Sequence, residues 1–124
     1  MKVMVVDDNA NMRAFLREQL LRKNMEVVEY VNGWQAVDAY LLESPDVVLM
    51  DIVMPGMDGL EATERIRDLD RDACIYIVTD YGDEEFRGKA LALGARGFFI
   101  KEHVTELLHE IRIVGSRRNH LRHP

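Results

Sequence analysis

Three aspartates, a threonine and a lysine stand where short apolar runs stop. KVMVV (2–6) leads into Asp7 and Asp8, VVLM (47–50) into Asp51, CIYIVT (74–79) closes on Thr79, and GFFI (97–100) is followed by Lys101. Taken singly, each has a plain explanation. Asp51 starts a turn containing Pro55, Gly56 and Gly59, Thr79 is a strand-end residue, and Lys101 is a surface lysine. If the runs are adjacent parallel strands, however, the same residues share one rim and three carboxylates crowd one crevice. Two like charges about 5 Å apart repel by roughly 3 kcal/mol at an effective dielectric near 20, so such a cluster requires a compensating cation. Mg²⁺, or Mn²⁺ in its place, suits oxygen ligands, and Mg²⁺ keeps room for waters and a substrate phosphate. Thr79 adds a hydroxyl and Lys101 an ammonium suited to phosphate.

The elements between these residues support that arrangement. Five short apolar runs, at 2–6, 26–31, 46–50, 74–79 and 97–100, read as strands because they are brief and rich in β-branched or aromatic residues. Amphipathic stretches alternate with them. Met12, Phe15, Leu16 and Leu20 predict the buried face of a first helix, Ala36, Val37, Tyr40 and Leu41 of a second, and Leu60, Thr63, Ile66 and Leu69 of a third. Phe86, Ala90 and Leu93 do so for a fourth, and Val104, Leu107, Leu108 and Ile111 for a fifth. Asn9 or Asn11 can cap the first helix, Asp58 the third and Asp83 the fourth, while Gly94 marks a stop.

Five βα units predict an α/β fold with parallel strands, right-handed crossovers and helices on both faces. Glu26 and Glu29 interrupt the second strand, which places it at an edge. The expected architecture is therefore a flavodoxin-like (βα)5 doubly wound sheet of strand order 2-1-3-4-5. Its first and third strands meet at the topological switch point, where such sheets bind ligands.

Composition narrows the function classes. A chain of 124 residues, 48% hydrophobic and 31% charged, corresponds to about one folded domain. Its net charge of -6 disfavours nucleic-acid binding by the body of the domain. The single Cys74 cannot form an internal disulfide and reads as core. No apolar run approaches the roughly 18 residues of a membrane span, and MKVMVVDD is not a signal peptide. A cytoplasmic setting without membrane partners is the expectation. The domain is expected to fill residues 1–114. GSRRNHLRHP (115–124) is then a basic tail or the start of a linker to an output domain.

The motifs VVDDNANMR, VNGWQAV, MDIVMPGMDGLE, VTDY and GARGFFIK occur in that order from Val5 to Lys101. Together they resemble the CheY-like response-regulator receiver domain of two-component signalling, over about Lys2 to Ile113. The resemblance implies that Asp51 accepts a phosphoryl group and that Asp7, Asp8, Asp51 and the backbone carbonyl of Val53 bind the divalent ion. It also implies that Thr79 and Lys101 contact the acyl phosphate and that Thr79 and Phe98 form a switch. The implied donor is a histidine kinase or histidine phosphotransfer protein. The implied receiver of the signal is an effector protein or fused output domain engaging the surface of the fourth helix, fifth strand and fifth helix. The chain would be a monomer or a phosphorylation-linked dimer, and a signalling receiver rather than a turnover enzyme.

Three departures from the family pattern bear on the site. Glu102 follows Lys101 where proline is common; a non-proline cis bond costs about 2.5–4 kcal/mol, so this loop is expected to be trans or strained. Asp80, in place of a small residue after Thr79, adds a negative charge. Val53 and Tyr81, at positions flanking the phosphate, are expected to impede attacking water and to lengthen the life of the acyl phosphate.

Rival readings fit less well. DDNAN repels a flavin phosphate, no GxxxxGK[ST] loop occurs, and Val53 occupies the position where an aspartyl-phosphate phosphatase wants a second acid. The serious alternative is a degenerate receiver, the same fold serving as an unphosphorylated protein-binding scaffold.

Overall fold

The computed structural model describes residues 1–80 and 82–112. Five parallel strands, β1 (Lys2–Val6), β2 (Glu26–Tyr30), β3 (Val47–Met50), β4 (Ile75–Thr79) and β5 (Gly97–Ile100), form one sheet in the order β2-β1-β3-β4-β5. Helices α1 (Ala10–Arg22), α2 (Gly33–Glu43), α3 (Gly59–Leu69) and α4 (Glu84–Ala92) fill the crossovers. A 3-10 turn (Lys101–His103) leads into α5, described over 104–112. The expected strand order holds, with β2 at an edge. Asp46 and Cys74, read as strand residues, lie just before β3 and β4 and are buried. Among the described residues no helix is long and apolar enough to cross a membrane.

Because side chains alternate across a strand, each central strand feeds two cores. Met4, Val48, Met50, Ile75 and Ile77 pack with Ala36 and Tyr40 of α2, Ala62 and Ile66 of α3 and Ala90 of α4. Val3, Val5, Leu49, Tyr76 and Val78 pack with Leu16 and Leu20 of α1 and with Val104, Leu107 and Ile111 of α5. All four residues of β3 and all five of β4 are buried, which explains their nearly unbroken apolar sequence. Each such aliphatic side chain contributes about 1.5–3 kcal/mol by leaving water.

The helix ends follow local chemistry. The side chains of Asn9, Asn32, Asp58 and Asp83 accept hydrogen bonds from first-turn N–H groups of α1, α2, α3 and α4. Asn9, rather than Asn11, caps α1. Gly94, at a φ of 99°, turns the chain after α4 in a conformation that glycine adopts without strain. Three residues expected on buried helix faces are exposed instead: Phe15, Leu41 and Leu69. Each lies at the border of a stripe wider than the strip its helix presses on the sheet.

Candidate functional site

Register brings the acidic strand ends together. Val6 of β1 lies opposite Met50 of β3, so Asp7 and Asp51 follow as neighbours. The ladder extends past the strands, because Asp51 N–H donates to Val6 O at 3.0 Å and Asp7 N–H to Tyr30 O at 3.1 Å. Asp7 and Asp51 are buried, Asp8 is exposed, and one carboxylate oxygen from each lies within 4.8 Å of the other two. Three anionic oxygen donors this close, open to solvent on one side, fit a small hard cation.

Backbone contacts fix the two buried aspartates. Asn9 N–H donates to Asp7 Oδ1 at 2.8 Å, and Ile52 N–H to Asp51 Oδ1 at 2.8 Å. Below Asp51 the loop folds back until Gly59 touches it. A Cβ on Gly59 would stand 1.8 Å from the carbonyl oxygen of Asp51, so only glycine permits this approach. Gly59 N–H also donates to Ile52 O at 2.8 Å, tying the start of α3 to the end of β3.

Lys101 is the cation of the cluster. Its Nζ lies 2.9 Å from Asp7 Oδ2, 3.3 Å from Asp51 Oδ2 and 3.7 Å from Asp80 Oδ2. Burial first, and the charge of Asp7 second, push the Asp51 carboxyl up to about 6 against the opposing pull of Lys101. Burial draws the Lys101 ammonium down, but its hydrogen bond to Asp7 and the charges of Asp51, Asp7 and Asp80 outweigh this and hold its pKa above the ordinary lysine value. In the metal-free site Asp51 thus takes up a proton more readily than an ordinary carboxylate, while Lys101 stays charged.

The remaining expected residues are placed as follows. Thr79 is fully buried at the end of β4, opposite Ile100 in register. Phe98 pairs with Ile77 and, two residues before Ile100, shares that face of the sheet; it is packed in the core rather than turned to solvent. The side chain of Val53 is half exposed, two residues beyond Asp51. Among the described residues no peptide bond is cis, so the Lys101–Glu102 bond is trans. Tyr81 lies outside the described residues, as does the segment 113–124 with the expected domain end at 114.

Three contacts escaped the sequence reading. The Arg13 guanidinium donates to Asp7 O at 2.7 Å and pairs with Glu29 at 3.7 Å, bracing the first acidic loop against β2. The signal was available in VVDDNANMR, where a long cation sits in the first turn of a helix that begins beside an acidic pair. The Lys101–Asp80 pair follows from the β4–β5 register, because Thr79 lies opposite Ile100 and the next residue of each strand end stands beside the other.

Comparison with known proteins agrees with this geometry. The chain is 45% identical over 101 residues to the chemotaxis protein CheY of Halobacterium salinarum, covering 81% of this chain and 83% of that protein. A two-component response regulator of the LuxR family from Aurantimonas sp. superposes with a TM-score of 0.86 at 34% identity, covering 93% of this chain and 85% of that one. The response regulator TrrA of Thermotoga maritima, in complex with Mg(2+)-BeF, superposes with a TM-score of 0.82 at 31% identity, covering 91% and 97%. The family model of the response regulator receiver domain matches residues 3–112, and with the acidic rim at the switch point it identifies the chain as a member of the response regulator receiver domain family.

Proposed function

We propose that the chain is a phosphorylation-dependent signalling switch whose acceptor is Asp51. One observation carries this reading: Asp51 is buried beside Asp7 and Asp8 at the switch point, with the Lys101 ammonium 3.3 Å from its free oxygen. Asp7, Asp8, Asp51 and the Val53 carbonyl would hold Mg²⁺ or Mn²⁺. Once bound, the ion supplies positive charge to the oxygens of an incoming phosphoryl group. Even raised to about 6, Asp51 is mostly ionised at neutral pH and needs no general base to act as a nucleophile, and ion binding favours its charged form further. The Ile52 N–H holds one Asp51 oxygen and leaves the other to attack phosphorus. Lys101 then balances charge as the acceptor becomes an acyl phosphate.

The donor would be a phosphohistidine on a histidine kinase or histidine phosphotransfer protein. Phosphorylation adds about -1.5 to -2 charge and three acceptor oxygens. Thr79, at the same rim, would donate its hydroxyl to them, and Phe98 on the same face would repack in response. That shift reshapes the α4–β5–α5 surface for an effector or a fused output domain. Val53 and Tyr81 would slow hydrolysis by shielding the phosphate. The chain turns over no separate substrate in this scheme, works in the cytoplasm, and uses residues 1–114 as the receiver unit with 115–124 as tail or linker. Dimerisation, where it occurs, would follow phosphorylation.

Intact-mass spectrometry after incubation with phosphoramidate and Mg²⁺ tests the acceptor. One added phosphoryl group, absent from Asp51→Asn and removed by EDTA pretreatment, is the expected result. No addition under any Mg²⁺ concentration would favour the scaffold reading instead.

A further inference from the structure

Lys101 carries one more negative partner than its part in phosphoryl transfer uses. The side chains of Asp7 and Asp51, at 2.9 and 3.3 Å, are 3% and 7% exposed. Asp80, at 3.7 Å, is 70% exposed, so it is the carboxylate on Lys101 that an approaching donor meets first. Asp8 is also exposed, and Glu102, next to Lys101, keeps its side chain 77% in solvent. Exposed carboxylates thus accompany each of the strand ends β1, β4 and β5 that carry the site, and Asp80 is the one in contact with Lys101.

We infer that Asp80 selects the phosphoryl donor, disfavouring dianionic acyl phosphates relative to donors whose phosphoryl group is carried on a positively charged nitrogen. The inference rests on Asp51 being the acceptor. Any donor must place phosphoryl oxygens near Lys101, and there it meets repulsion from Asp80. A protonated phosphoramidate or phosphohistidine offsets this through the N–H⁺ of its leaving group, which Asp80 attracts. A carboxylic leaving group offers no such offset and adds negative charge as it departs.

The bond changes are the same in both cases. An Asp51 oxygen forms the new P–O bond. The P–N or P–O bond to the leaving group breaks, and its electron pair stays on that group. From protonated phosphoramidate the nitrogen departs as neutral ammonia; from acetyl phosphate the product is acetate. Asp80 touches neither reacting bond. Its effect is on which donor is admitted, which makes it a specificity residue acting through Lys101 and the local field.

The test compares Asp80→Asn and Asp80→Ala with the unsubstituted chain, using Mg²⁺ and either acetyl phosphate or phosphoramidate, with intact mass read against time. The acetyl phosphate rate constant is expected to rise about 3- to 10-fold, the size of one nearby surface charge. The phosphoramidate rate constant should change by less than about 2-fold, so the donor ratio narrows; high salt should narrow the ratio of the unsubstituted chain in the same way. A merely structural role for Asp80 would move both rates together. Equal factors for the two donors, or no change with either, would overturn the inference. If the unsubstituted chain takes phosphoryl from neither donor, the acceptor reading falls, and the donor selection built on it falls too.

Discussion

The two halves of the acidic rim are built in opposite ways. At the ends of β1 and β3, Asp7 and Asp51 are buried, each fixed by a backbone N–H, with Gly59 packed directly beneath Asp51. At the ends of β4 and β5, Asp80 and Glu102 stand in solvent, and Lys101 reaches across to Asp7 and Asp51 through its ammonium, by side-chain contacts with no backbone N–H holding it. Backbone hydrogen bonds and close packing hold a group in one place, whereas a point-charge ammonium on a flexible four-carbon stem, shared among three carboxylates, can exchange one partner for another. An acceptor has to be presented in a fixed position. A cation that must pass from aspartate to phosphate has to be free to move.

Substitution on the rigid side should therefore cost far more than on the mobile side, and Gly59→Ala should cost most. Its Cβ would collide with the Asp51 carbonyl, and about 3 kcal/mol of stability should be lost as β3 and α3 separate. Chemical denaturation would measure this. A loss below about 1 kcal/mol would show that the loop beneath the acceptor yields easily.

Asp51→Asn should act in the opposite direction. The folded chain holds the Asp51 proton up to about pH 6, whereas the ordinary value is 3.8. A raised carboxyl contributes its stability below the ordinary value and loses it as the pH climbs through the folded one. In EDTA the substitution should thus have little effect near pH 3.5. It should stabilise progressively from about pH 4 to 6, reaching about 2 kcal/mol at pH 7.5 once the shift is discounted for solvent screening. Melting curves across that range would show a flat difference if the Asp51 carboxylate were not penalised by burial.

The helix caps give the smallest contrast. Asp58 accepts from two N–H groups, those of Leu60 and Glu61, at the start of α3 on the rigid side, and Asp83 accepts from one, Phe86, at the start of α4. Asp58→Ala should cost about 1 kcal/mol and Asp83→Ala about half of that. The reverse order would contradict the assignment of the β3–α3 junction as the tighter one.

The same contrast governs what could be read from sequence. Strand ends and their register are set by apolar patterning, so Asp7, Asp8, Asp51 and Thr79 could be assigned to one rim before any coordinates. Phe15, Leu41 and Leu69 were misplaced because spacing defines a helical stripe but not its width against the sheet. Arg13 was missed because a long side chain reaching across loops leaves no periodic trace, and the Lys101–Asp80 pair because the residue-by-residue register of β4 against β5 emerges only from the fold. Gly59 was legible as part of a turn, but its role as the floor beneath Asp51 emerges only from the fold.

Titration of the ¹⁵N-labelled chain with Mg²⁺, followed by amide NMR, tests the central claim most directly. Saturable shifts centred on residues 7–9 and 51–53, lost in Asp51→Asn, are the predicted result. Shifts scattered over the surface carboxylates, or none at millimolar Mg²⁺, would contradict a shared ion at the acceptor.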